Sequence, residues 1–219
     1  ERVLFVLARL LALAKATRSN TMTARAEAKP PQEAHDLLHS AAVTGDANGL
    51  QRALKRWPLD VRQVAVANSE FLDKPSRFSR RPDWIAATPL FEAASRGHAA
   101  CVRLLLAAHA AFDQPTSTGE TPLTASCVRG HTECVSLLLA AHALMERPGP
   151  TGATPLLSAL QARQDDVAVV LMEARADVSA LLHDGRGVLH CAALAGTSMP
   201  VCEDLLTAGA SCDARDKRG

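Results

Sequence analysis

An all-α solenoid of stacked helix pairs is the fold that this sequence predicts, and three observations predict it. The tripeptide Thr-Pro-Leu recurs at Thr88, Thr121 and Thr154, a spacing of 33 residues each time, and a further 33 lands on Gly187-Val188-Leu189. A fixed period of that length marks an architecture of stacked units, each too small to bury its own apolar face. Glycines also keep fixed offsets: Gly97, Gly130 and Gly196 follow the first apolar run of their units, and Gly119, Gly152 and Gly185 precede the next run. Finally, hydrophobic residues make up 47% of the 219 residues but aromatics only 3%, with no Tyr. Small and aliphatic side chains suit closely packed helices and suit an aromatic-rich β-sandwich poorly.

Each part of the unit has a mechanical reason. Thr ahead of Pro suits a helix N-cap, because its hydroxyl accepts a backbone N–H. Pro sits at the first helical position, where its missing N–H is no loss. Leu90, Ala93 and Ala94 share one face of a short helix, and Gly97 ends it. Val102, Leu104, Leu105 and Leu106 then form a second helix, apolar almost all round. Such a helix needs cover on both sides, which neighbouring units supply. The glycines before each Thr-Pro-Leu mark turns.

This unit resembles the ankyrin repeat, whose recognised form is a β-turn followed by two antiparallel helices opening on T-P-L-H-x-A-A. The likeness covers residues 83–219. A weaker N-terminal unit spans 33–57: Leu38-His39-Ser40-Ala41-Ala42-Val43-Thr44-Gly45 parallels Leu90-Phe91-Glu92-Ala93-Ala94-Ser95-Arg96-Gly97. Gly45 lies 52 residues before Gly97 rather than 33, so residues 58–82 read as an inserted loop and 33–57 as a degenerate capping repeat. The last residues, Asp216-Lys217-Arg218-Gly219, read as the turn that opens one more repeat.

Departures from the family pattern set further expectations. Arg163-Gln164 replaces the Gly-His of the other units, which predicts a different helix–helix turn in the third. His109 and His142 stand where the family usually has Gly, and predict a positive φ at some strain. The fourth unit gains a residue between Thr197 and Val201, with Pro200 opening its second helix. His98, His131 and His190 fall where the family carries His for hydrogen bonds in the turn.

The resemblance implies a non-catalytic protein-interaction scaffold or adaptor, contacting another protein through turn tips and the exposed end of each first helix. By position these contacts are Trp84, Ile85, Ala87, Ser95 and Arg96; then Ser117, Thr118, Glu120, Val128 and Arg129; then Pro150, Thr151, Ala153, Gln161 and Ala162; then His183, Asp184, Arg186, Leu194 and Ala195. Trp84, Arg96 and Arg129 are the expected anchors, since Trp and Arg dominate interface energetics. Two narrower readings are a substrate-recognition subunit of a ubiquitin ligase and a structural subunit of a mitochondrial assembly. The first rests on Cys101-Val102 and Cys134-Val135, similar to ankyrin proteins bearing a SOCS box, although no such box lies within the chain. The second rests on the leader.

That leader, residues 1–32, carries an apolar run from Val3 to Ala14 broken by Arg9. At about 12 residues the run is too short to span a bilayer, and Arg9 spoils a secretory signal. Arg2, Arg9, Lys15, Arg18 and Arg25, with no acid between Glu1 and Glu27, fit a mitochondrial transit peptide over residues 1–21. A start at Met22, or an ordinary helix packing on the array or on a partner, fits equally. Residues 1–82 hold 14 Lys/Arg against 8 Asp/Glu, and residues 83–219 hold 10 against 15. With a net charge of only +1, nucleic acid is not an expected partner. The six cysteines form no CxxC pair and read as small buried hydrophobes in a reducing, intracellular compartment, cytoplasmic unless the leader directs otherwise. No nucleophile–base–orienter set or phosphate-binding loop is present, so no enzyme activity, cofactor, metal or small-molecule substrate is expected.

Overall fold

The computed structural model describes residues 32–56, 87–149 and 151–217, and every regular element among them is a helix. The leader before Gln32, the inserted loop at 58–82, Trp84, Ile85 and Pro150 lie outside the described residues. Among the described residues ten helices form five pairs: α1 Gln32–Thr44 with α2 Ala47–Arg56, α3 Pro89–Ser95 with α4 Ala99–Ala107, α5 Pro122–Arg129 with α6 Thr132–Ala140, α7 Pro155–Gln161 with α8 Asp165–Glu173, and α9 Val188–Ala195 with α10 Met199–Thr207. The first helices of the pairs pack on one another in chain order, and so do the second helices, giving two layers.

The predicted caps are present. Thr88 Oγ1 accepts the Phe91 N–H at 3.1 Å, Thr121 Oγ1 the Thr124 N–H at 3.2 Å, and Thr154 Oγ1 the Leu157 N–H at 3.4 Å. Thr124 Oγ1 accepts the Thr121 N–H at 2.8 Å, completing a capping box on α5. In α9, where Gly187 replaces Thr, His190 Nδ1 accepts the Gly187 N–H at 3.4 Å. Asp46 caps α2 by accepting the Gly49 N–H at 2.8 Å.

The first helices of repeats one, two and four run into a glycine with positive φ, at +76° for Gly97 and Gly130 and +71° for Gly196. The different turn expected of repeat three is not found. Arg163 takes φ +58°, the same left-handed region. Gln164 also takes over the place of the histidines. His98 lies over Gly45, His131 over Gly97 and Gln164 over Gly130, so closely that a Cβ on each glycine would collide with that side chain. His190 bonds within the turn that opens its own helix, as expected, whereas the other two histidines reach into the turn of the repeat before. His98 Nε2 donates to the Val43 carbonyl and His131 Nε2 to the Ser95 carbonyl, each at 3.2 Å, so these bonds join successive repeats. His109 and His142 have the expected positive φ, at +60° and +64°, and Arg175 at the equivalent place has +69°.

The layers close over one continuous apolar core from Leu38 to Ala210. Leu105, Leu138, Leu171 and Leu205 hold equivalent places in the second helices and are fully buried. Each such leucine contributes about 2 kcal/mol through burial. Cys101, Cys127, Cys134 and Cys191 belong to this core as expected, whereas Cys202 is half-buried and Cys212 is exposed on the loop after α10.

Candidate interaction face

Between one repeat and the next the chain makes a finger built on a tight turn. The Gly119 N–H donates to the Thr116 carbonyl and the Thr116 N–H to the Glu120 carbonyl, at 2.9 and 2.8 Å. The same reciprocal pair joins Gly149, Gly152 and Ala153, and again Leu182, Gly185 and Arg186. Glycine is required at the fourth residue of each turn, where φ is +78° to +87°. Successive fingers are linked as well: the His183 N–H donates to the Thr151 carbonyl at 3.4 Å.

The fingers hold out Ser117, Thr118 and Glu120 in one unit and His183, Asp184 and Arg186 in another. Thr118 Oγ1 is 2.8 Å from Thr116 Oγ1, which also accepts the Glu120 N–H at 3.2 Å, so the tip is tied to itself. Asp184 is held below the usual carboxylate range by the Arg186 backbone N–H first and its guanidinium second, with Arg186 Nε 2.7 Å from Asp184 Oδ2.

At the C-terminal ends of the first helices a side chain faces solvent in every repeat, and two do so in repeat two. Arg96 is exposed and its Nε lies 3.0 Å from Glu92 Oε2, one helical turn back. Arg129 is exposed and its Nη1 donates to the Ala125 carbonyl at 3.2 Å. Beside Arg129 stands Val128, 44% exposed; the equivalent residue in repeat three is Gln161, also exposed, and in repeat four Leu194, 71% exposed. Because α3, α5, α7 and α9 pack side by side, these residues line up across the repeats.

Three of the expected contact residues are not available. Ala87, Ser95 and Ala153 are at most 7% exposed, because the fingers and first helices bury them. Trp84 and Ile85 lie outside the described residues, so the expected Trp84–Arg96–Arg129 patch is represented by its two arginines. Sequence reading passed over Glu92, although its i,i+4 spacing to Arg96 is the usual signal for a helical ion pair.

Among the described residues no group of three or more His, Cys, Asp or Glu stands close enough to hold a metal ion, and no helix is long and apolar enough to cross a membrane. The four buried cysteines are raised by loss of hydration, Cys134 to about 11. That makes them unreactive packing groups in the folded protein.

Comparison with known families agrees with this geometry. The family model for ankyrin repeats, of three copies, matches residues 38–146 and 90–181, which together cover well over half the chain. No curated protein matches the chain. With five helix pairs stacked through a shared core and glycine turns between them, the chain belongs to the ankyrin-repeat family.

Proposed function

We propose that this protein is a non-catalytic adaptor or subunit of a larger complex, binding another protein through its finger tips and the exposed ends of α3, α5, α7 and α9. One observation carries the reading. The recurring cap and core positions Thr88, Thr121 and Thr154 and Leu90, Leu123 and Leu156 are buried, whereas Arg96, Arg129, Val128, Gln161 and Leu194, at the ends of the same helices, are exposed along one edge of the first layer. Among these exposed side chains the arginines are of the type enriched at interface anchors, and the valine and leucine add apolar contact area. Ankyrin repeats are general protein-interaction modules, and the regular helix stacking holds these anchors at fixed spacing, which lowers the entropy lost on binding.

The test is site-specific photo-crosslinking. A benzophenone side chain at Val128 or Leu194 is expected to capture the partner in cells, and the same group at Ser136, exposed on α6 in the other layer, is not. Capture from Ser136 alone would move the interface to the second helices and overturn the assignment.

A further inference from the structure

The edge assigned to the partner changes character along the stack. In repeats one to three it is basic: Arg96, Arg129 and Arg163, at or just past the ends of three successive first helices, are all exposed. Arg96 meets Glu92 at 3.0 Å. Arg129 and Arg163 make no ion pair among the described residues, and their hydrogen bonds go to the backbone carbonyls of Ala125 and Gly196, at 3.2 and 3.4 Å. A guanidinium carries five donors in a planar fork, so most of those on Arg129 and Arg163 remain for a carboxylate. The neighbouring acids are engaged: Asp165 Oδ2 accepts the Ser198 N–H at 2.9 Å, and Glu133 Oε1 lies 3.0 Å from Arg103 Nη2. Asp166, exposed in the first turn of α8, is outnumbered.

In repeat four the same edge is apolar. Leu194 and Met199 flank its helix–helix turn, each 71% exposed, more than any other large hydrophobic residue among the described ones. The place of Leu194 is open within the stack too: Val128 and Gln161 hold it in repeats two and three and are exposed with a further helix pair beside them. The turn between Leu194 and Met199 is pinned from repeat three, by Arg163 on the Gly196 carbonyl and by Asp165 on the Ser198 N–H.

Spacing says what fits this sequence of surfaces. The first helices α3, α5, α7 and α9 pack side by side, which sets them about 8–10 Å apart. An extended chain advances about 3.3 Å per residue, so one repeat spans about three residues of an extended partner. We propose that the partner presents an extended acidic segment. Its carboxylates, about three residues apart, meet Arg96, Arg129 and Arg163, and a large apolar residue about three further on meets Leu194 and Met199. The proposal rests on the function proposed above and adds the partner's chemistry to it. The guanidiniums set register and reject basic segments, and the apolar end adds buried area.

The experiment selects binders from a random dodecapeptide library displayed on phage. The baits are the full chain, Arg129→Glu and Leu194→Ser, matched by circular dichroism melting. The parent is expected to enrich peptides with Asp or Glu at three-residue spacing and a large apolar residue at one end. Arg129→Glu should bind those peptides roughly tenfold more weakly and enrich others with Lys or Arg at the middle acidic place. Leu194→Ser should lose the apolar preference and keep the acidic one. No enrichment, enrichment of neutral or basic peptides by the parent, or the same peptides from all three baits overturns the proposal. Equal competition by single-stranded RNA also overturns it, because the edge would then serve a phosphate backbone. Failure here is distinguishable from failure of the proposed function: a benzophenone at Val128 that captures a partner while the selected peptides are neutral keeps the face and removes only the acidic chemistry.

Discussion

Repeats two and three reach the same helix–helix turn with different residues. Repeat two has Gly130-His131 and repeat three Arg163-Gln164, yet both first residues are left-handed, at φ +76° and +58°. Both second residues lie over the glycine of the repeat before. Arginine in that conformation costs roughly 1–2 kcal/mol that glycine does not. Part of the cost is offset by the guanidinium, whose Nη2 donates to the Gly196 carbonyl of the next repeat at 3.4 Å. The comparison teaches that the turn is set from outside, by the stacking of neighbours and by backbone bonds such as Gln164 N–H to the Ala159 carbonyl at 2.9 Å. A glycine makes the turn easy; the stack makes it compulsory.

The comparison can be broken most forcefully at the core beneath the two turns. Leu138→Asp and Leu171→Asp each bury an unpaired carboxylate in a fully apolar place and should destabilise by several kcal/mol. Melting followed by circular dichroism should show both variants unfolding well below the parent, by similar amounts. A clear difference would mean that the two repeats are not equivalent layers.

A smaller effect separates the turns themselves. Gly130→Ala introduces a side chain where φ is +76° and where the new Cβ meets Gln164 Oε1. It should cost about 1–3 kcal/mol in denaturant titration. Adding Gln164→Ala should return part of that loss, which a double-mutant cycle will measure. Arg163→Gly should move the other way and stabilise by about 1 kcal/mol, because strain is lost and only an exposed, long hydrogen bond goes with it. A destabilisation there would show that the Gly196 contact outweighs the strain.

The finest probe is chemical. Cys134, raised to about 11 by burial first and by Glu133 second, holds roughly 100-fold less thiolate near neutral pH than a thiol at its ordinary value of 9.0. Thiol titration of the native protein should therefore label the exposed Cys212 first. Cys127 and Cys134 should react only as the stack opens in denaturant. Early labelling of Cys134 would indicate local opening of repeat two.

Much of the fold was legible in the residues because the fold repeats itself. Thr88, Thr121 and Thr154 declare their caps, and Leu105 and Leu138 their burial, through a period that any one unit would not reveal. Arg163 was misread because a local rule, that such a turn wants glycine, gave way to the packing of neighbours. The partners of His98 and His131 were not legible for a related reason: Val43 and Ser95 lie 55 and 36 residues before them, a pairing that only stacking creates. The candidate face was only partly legible. Position alone pointed to Arg96, Arg129 and Leu194, but it also pointed to Ala87, Ser95 and Ala153, which are buried. Whether a small residue on a surface edge remains open depends on how closely the next finger and helix approach.

On the proposed reading, the stack only holds the anchors and the exposed edge of the first layer does the binding. The most direct measurement is a quantitative pull-down with three baits matched for melting temperature. One is the parent chain. The second carries Arg96→Ala, Arg129→Ala and Leu194→Ala on the first helices. The third carries Arg103→Ala, Ser136→Ala and Glu173→Ala, all exposed on the second helices. The account predicts a partner recovered equally by the first and third baits and lost from the second. A partner retained by the second bait and lost from the third would contradict it.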